Sequence, residues 1–249
     1  MIVKEIKKYD IPLKFPKILA DKLLDPKREQ ILEPLPNTHF TALFIGKPRS
    51  GKSTYAFSLI STKNAAYFKI FDNIHIVIPP DSLTSLGNNQ IKNHKRIYHE
   101  LTSETLNNIN SDIDKLISEK KKDGNSLIIY DDVGSSVKNS DIQYNIQSMS
   151  WNFRHRLTTQ WYLLQTLRSL PLPVRKCATI LIIFNIGKVE QDLVYNEFMT
   201  FISKSQWEAI LIHTYNVKKY GVHTALFINT DEQKIYRLTN NKYYLLEAS

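Results

Sequence analysis

The chain is poor in the residues that build disulfide scaffolds and flexible linkers. It holds one cysteine, Cys177, and only 7 glycines in 249 residues. A single cysteine excludes an internal disulfide and fits a reducing compartment. His75, His94, His99 and His213 lack metal-ligand spacing with one another, and there is no cysteine cluster, so no structural zinc is expected. The longest apolar run, Ile180–Phe184, is far too short to span a bilayer, and the charged segment Met1–Asp10 does not read as a secretory signal. A soluble protein without a membrane partner is expected. Acidic residues are absent between Asp141 and Glu190, where Arg154, His155, Arg156, Arg168, Arg175, Lys176 and Lys188 all fall.

What is present is an ordinary globular composition, 42% hydrophobic and 23% charged, with a net charge of +9. Such a chain can bury a sizeable core, and its positive field attracts polyanions. Met1–Pro36 carries five prolines and reads as an irregular arm with one short helix around Lys17–Leu24. Residues 37–249 read as one domain ending in a helix and hairpin appendage. Apolar runs of strand length recur at His39–Ile45, Asn73–Ile78, Ser126–Tyr130, Trp161–Leu164 and Thr179–Phe184. Helical patterns lie between and after them, at Lys52–Ser61, Ser103–Lys122, Glu190–Ile202 and Ser205–Tyr215. Thr224–Asn229 and Lys234–Leu238 read as a hairpin around Thr230-Asp231. Doubly apolar strands separated by helices predict an α/β fold, a mostly parallel sheet with helices on both faces.

One motif carries chemistry. Gly46-Lys47-Pro48-Arg49-Ser50-Gly51-Lys52-Ser53 matches the phosphate loop G-x-x-x-x-G-K-[ST] in full, with an apolar strand before it and a helix after it. The glycines let the backbone N–H groups approach phosphate oxygens, and the helix points its positive end at them. Lys52 is expected to reach the β- and γ-phosphates and Ser53 to ligate Mg²⁺, with Thr54 completing the cradle. Leu127–Tyr130 is a buried strand pattern ending in Asp131-Asp132. Strand ends of a parallel sheet line the ligand crevice, so Asp131 is expected beside Ser53 on the metal side. Asp132 is the candidate for orienting or deprotonating the attacking water. The strand Trp161–Leu164 ends in Gln165-Thr166, which places Gln165 near the acid pair. The basic stretch supplies either arginine fingers for a neighbouring subunit or contacts to DNA phosphates. Trp151, Phe153, Trp161 and Tyr162 are expected to serve packing.

The loop Gly46–Ser53, the strand Leu127–Asp132, the segment Trp151–Gln165 and the following Leu170–Arg175 together resemble the DNA-packaging ATPases of large DNA viruses and virophages. Those are the poxvirus-type branch of the FtsK–HerA superfamily. In that family an Arg-His pair, here Arg154-His155, precedes a strand ending in a glutamine, here Gln165, and then a Leu-Pro…Arg segment ending here at Arg175. The resemblance covers roughly Thr38 to Tyr215. It implies a RecA-like core, a homo-oligomeric ring of about five or six subunits, ATP rather than GTP as substrate, and insertion of double-stranded DNA into a viral capsid. The place of action would be the virion or the host cytoplasm. Gln165 would be the sensor, and Arg154 and Arg175 both stand as finger candidates. Two positions depart from the family pattern: Asp132 where a glutamate is common, and Leu164 where a small polar residue is expected. Two other functions share the phosphate loop: a nucleotide or nucleoside kinase, and a nucleotide-binding assembly switch without significant hydrolysis.

Overall fold

The computed structural model describes residues 31–85, 94–120, 124–240 and 242–247. The expected short helix at Lys17–Leu24 and most of the proline-bearing arm lie outside them. The described residues form nine strands: β1 (Thr41–Ile45), β2 (Asn73–Val77), β3 (Ile97–Tyr98), β4 (Ser126–Asp131), β5 (Thr158–Leu164), β6 (Ile180–Phe184), β7 (Ala225–Asn229), β8 (Lys234–Thr239) and β9 (Lys242–Leu246). Eight helices accompany them: α1 (Lys52–Ser61), α2 (Pro80–Ser85), α3 (Ser103–Lys120), α4 (Ser140–Trp151), α5 (Leu172–Arg175), α6 (Lys188–Phe198), α7 (Lys204–Thr214) and α8 (Val217–Tyr220). All nine strands share one sheet in the order β3-β2-β4-β5-β1-β6-β7-β8-β9. The pairs from β3 to β6 are parallel. Those from β6 to β9 are antiparallel.

The alternation of side chains along β1 divides the core. Leu43 and Ile45 face one layer, where Leu106, Ile109 and Ile113 of α3, Ile142, Ile146 and Met149 of α4, and Trp207 and Leu211 of α7 are buried. Ala42 and Phe44 face the other, built from Ala56 and Phe57 of α1, Tyr67, Ile70 and Phe71 of the following turn, and Trp161 of β5. A strand covered on both faces has no polar side, which is why these segments read as unbroken apolar runs. Trp161 is the hub of the second layer, with Phe44, Tyr67 and Phe71 at ring-centroid distances of 5.6, 5.7 and 6.4 Å.

Three features stand outside the sequence expectations or differ from them. The segment Ser140–Trp151 forms a helix despite its Ser, Asn and Gln content. Asn139 caps it by accepting from the Asp141 and Ile142 amides, and Ile142, Ile146 and Met149 supply its buried stripe. The expected hairpin is longer: β9 joins it, and all three strands continue the central sheet. Trp151 joins neither core layer among the described residues. It ends α4 at 61% exposure, whereas Phe153, Trp161 and Tyr162 are buried.

Candidate nucleotide site

The phosphate loop leaves β1 at its C-terminal end and enters α1 directly. Gly46 donates its N–H to the Leu164 carbonyl of β5 at 3.1 Å, so the loop is tied to the neighbouring strand at its first residue. A Cβ at Gly46 would stand 2.7 Å from Ser50 Oγ and 2.8 Å from Phe184 Cβ. Only glycine allows this fold-back. Arg49 and Gly51 both adopt positive φ, 62° and 101°. The exposed rim of the loop is Lys47, Pro48 and Arg49. Helix α1 begins at Gly51 without a side-chain cap and without an acid in its first turn. Its first amides therefore have no side-chain acceptor of their own, as an anion site at a helix N-terminus requires. Thr54, in that turn, is exposed.

Lys52 is buried, and its ammonium donates to the Gly46 and Lys47 carbonyls at 2.7 and 3.0 Å. Burial pulls its pKa down, while Asp131 and Asp132 act in the opposite direction. Asp131 closes β4 in the parallel register opposite Leu163 of β5. Burial pushes its carboxyl up to about 6, against a hydrogen bond from Ser53 and the charge of Lys52. Its Oδ2 is a buried acceptor without a hydrogen-bond partner among the described residues. An orphan carboxylate oxygen beside a serine hydroxyl fits a Mg²⁺ ion, which takes one or two protein oxygens and completes its shell with phosphate and water.

Asp132, the next residue, turns outward at φ 56°. Aspartate tolerates this left-handed backbone better than most side chains, and the turn brings its Oδ1 to 2.8 Å from Gln165 Nε2, which donates to it. The sheet order explains the meeting. β5 lies between β1 and β4, so its C-terminal end emerges between the phosphate loop and the acid pair. Lys52, Ser53, Asp131, Asp132 and Gln165 thus gather at one edge of the sheet from three different strand ends. Beyond Gln165 a cleft of about 600 Å³ continues along the same edge, with Lys138 and Arg168 in its wall.

The two arginine candidates lie elsewhere. Arg175 is held inside its own subunit: Nε and Nη2 donate to Glu197 at 2.9 and 2.7 Å, and Nη1 donates to the Leu170 carbonyl at 2.8 Å. Arg154 is exposed beyond the N-terminal end of β5, opposite the phosphate loop, with its guanidinium 5.5 Å from the Phe153 ring centroid. Neither reaches the loop of the same chain. The basic stretch is also less uniform in space than in sequence. Arg156 pairs with Asp114 and Lys188 with Glu208, both acids from outside the stretch. Sequence reasoning passed over Glu190, whose Oε2 accepts the Leu167 amide at 2.9 Å and fixes the turn after Gln165. It also passed over His223, whose Nδ1 lies 3.4 Å from the Ser50 carbonyl oxygen. No spacing pattern links either residue to the motif.

With this geometry in view, the solved structures most instructive for comparison are three. The genome packaging NTPase B204 from Sulfolobus turreted icosahedral virus 2, in complex with AMPPCP, is 16% identical, with a TM-score of 0.52 over 81% of this chain and 97% of that one. The DNA-packaging ATPase B204 from Sulfolobus turreted icosahedral virus is 19% identical, with a TM-score of 0.52 over 81% and 98%. EssC from Geobacillus thermodenitrificans, ATPases 2 and 3, is 14% identical, with a TM-score of 0.53 over 83% of this chain and 40% of that one. At these identities the likeness is one of fold, the RecA-like P-loop core. No curated protein matches the sequence. A family model does, over residues 28–241, which take in the loop, both acids, the glutamine and every strand but the last: the chain belongs to the Poxvirus A32 protein family.

Proposed function

We propose that this chain is a Mg²⁺-dependent ATPase that works as a ring and drives double-stranded viral DNA into a capsid. The observation that carries the reading is the convergence of Lys52, Ser53, Asp131, Asp132 and Gln165 at one sheet edge. The B204 proteins of similar fold are a genome packaging NTPase and a DNA-packaging ATPase, which supports the same reading.

The residues divide the work. The amides at the start of α1 and the Lys52 ammonium hold the phosphate chain and offset its charge. Ser53 and Asp131 would hold Mg²⁺, which when bound neutralises charge on the outer phosphates. Asp132 sits where it can accept a proton from the attacking water or orient it, and the Gln165 amide fixes the rotamer of Asp132. Gln165 also stands at the head of the cleft that holds Lys138 and Arg168, cations suited to DNA phosphates. Tyr144 and Trp151, seven residues apart on α4 and 72% and 61% exposed, form the kind of apolar patch that a neighbouring subunit covers. Arg154, exposed near that helix, is the finger candidate that can leave its place without breaking an ion pair.

The test is ATP turnover with and without duplex DNA, combined with measurement of particle mass. DNA-stimulated hydrolysis by an oligomer, abolished by Lys52→Ala, is the expected result. Turnover that survives Lys52→Ala would overturn the site. Transfer of phosphate to a nucleotide without DNA dependence would overturn the motor.

A further inference from the structure

The order of strands decides which way a nucleotide lies on the loop. β4, with Asp131 and Asp132, stands two strands to one side of β1, and β7 stands two strands to the other. At about 4.8 Å between neighbours, the acid pair and the start of β7 are on the order of 20 Å apart. A triphosphate whose terminal phosphate faces the acids therefore sends its nucleoside toward β6 and β7.

His223 stands on that side. It lies in the turn between α8 and β7, two residues ahead of Ala225, which pairs with Phe184 at the end of β6. Its Nδ1 is 3.4 Å from the Ser50 carbonyl oxygen. The same atom and the Phe184 ring border the open side of Gly51, at 3.5 and 3.6 Å from where a Cβ would be. The turn is fixed: Gly221 takes φ 84°, and Thr224 Oγ1 donates to the Tyr220 carbonyl at 2.9 Å. The side chain it presents is exposed. When Nδ1–H donates to Ser50, the tautomer is set and Nε2 keeps its lone pair as an acceptor.

We propose that His223 recognises the nucleoside part of the bound nucleotide, its Nε2 accepting a hydrogen bond from a donor on the sugar or the base. The inference rests on the proposed ATPase site and names the residue that gives this site its preference for a nucleotide over bare phosphate. The donor is either a ribose hydroxyl or the 6-amino group of adenine, since both present an N–H or O–H to the acceptor nitrogen of the imidazole.

The experiment is calorimetric titration of the full chain and of His223→Ala with ATP and with inorganic tripolyphosphate, each with Mg²⁺. His223→Ala is expected to weaken ATP about five- to tenfold, the worth of one hydrogen bond, and to leave tripolyphosphate unchanged. Its thermal midpoint should equal that of the parent, because the side chain is exposed. Equal weakening of both ligands would show that His223 serves the phosphates or the loop's shape and would overturn the proposal, as would no weakening of either. Titrations with 2′,3′-dideoxy-ATP and GTP locate the donor. If the penalty of His223→Ala disappears with the first, the sugar is the partner; if with the second, the base amine is. A penalty retained with both overturns the hydrogen bond. Lys52→Ala separates the two levels of the argument, since it must weaken ATP and tripolyphosphate together. If it weakens neither, the phosphate site itself fails and His223 is not the cause.

Discussion

Gln165 Nε2 donates to Asp132 Oδ1 across 2.8 Å, joining the ends of two parallel strands at the point where the phosphate loop faces them. The bond holds an aspartate whose backbone is already turned into the left-handed region. A carboxylate placed in this way has little freedom of orientation, as a group that positions water requires. Gln165→Ala and Asp132→Asn are each expected to lower ATP turnover by on the order of a hundredfold, with nucleotide affinity retained. Steady-state hydrolysis beside a binding titration checks this. Loss of binding in either variant would show that these side chains serve the phosphates rather than the chemical step.

Crowding at Gly46 gives a second prediction. Gly46→Ala places a methyl group 2.7 Å from Ser50 Oγ and 2.8 Å from Phe184 Cβ, too close for either to stay in place. Nucleotide binding should be lost, while the sheet, with its two apolar layers, should keep the chain folded. Circular dichroism together with a nucleotide titration distinguishes a deformed loop from a misfolded protein.

The fold was legible where apolar patterning was strong. Five of the strands emerge from runs such as Thr41–Ile45 and Ile180–Phe184, because doubly covered strands have no polar side to interrupt them. The parts that were not legible owe their structure to distant partners. Helix α4 is polar in composition and exists because Asn139 caps it and three side chains fit a groove made elsewhere. β9 is largely exposed and holds its place by pairing with β8. In the site, the loop and acid pair stand out because spacing encodes them. Glu190 and His223 do not, since their partners Leu167 and Ser50 lie 23 and 173 residues away.

Arg154 and Arg175 should behave as opposites. Arg175 and Glu197 form a two-pronged ion pair at 11% and 16% side-chain exposure. Glu197→Ala would leave a buried guanidinium uncompensated and should destabilise the fold by about 3 kcal/mol. Arg154→Ala removes an exposed side chain and should leave the thermal midpoint unchanged. If Arg154 acts in a neighbour's site, mixing Arg154→Ala subunits with Lys52→Ala subunits should restore turnover where the two pair. Absence of any recovery would remove Arg154 from the reaction.

His75 sets an acid limit on stability. It is fully buried on β2, stacked 6.1 Å from the Tyr98 ring, and burial, reinforced by Arg96, pulls its pKa from 6.5 to about 4. Above pH 6.5 the imidazole is neutral whether the chain is folded or not. Below it the unfolded chain takes up a proton that the folded chain refuses until about pH 4. His75 should therefore lower stability as pH drops through this window, by on the order of 3 kcal/mol, while the Asp131 carboxyl, pushed up to about 6, acts in the opposite direction. Denaturant midpoints of the parent and of His75→Gln from pH 7 to 4 isolate the effect: the parent should lose stability relative to the variant as pH falls, and a constant difference between the two would show that His75 sets no such limit.

The amide of Gly46 and the carbonyl of Leu164 make the phosphate loop and the strand of Gln165 a single mechanical piece. Any shift of the loop's first residue is shared with the strand whose continuation past Gln165 enters the wall holding Arg168. Main-chain bonding thus ties the nucleotide-facing loop to the wall of the cleft with no side chain in between.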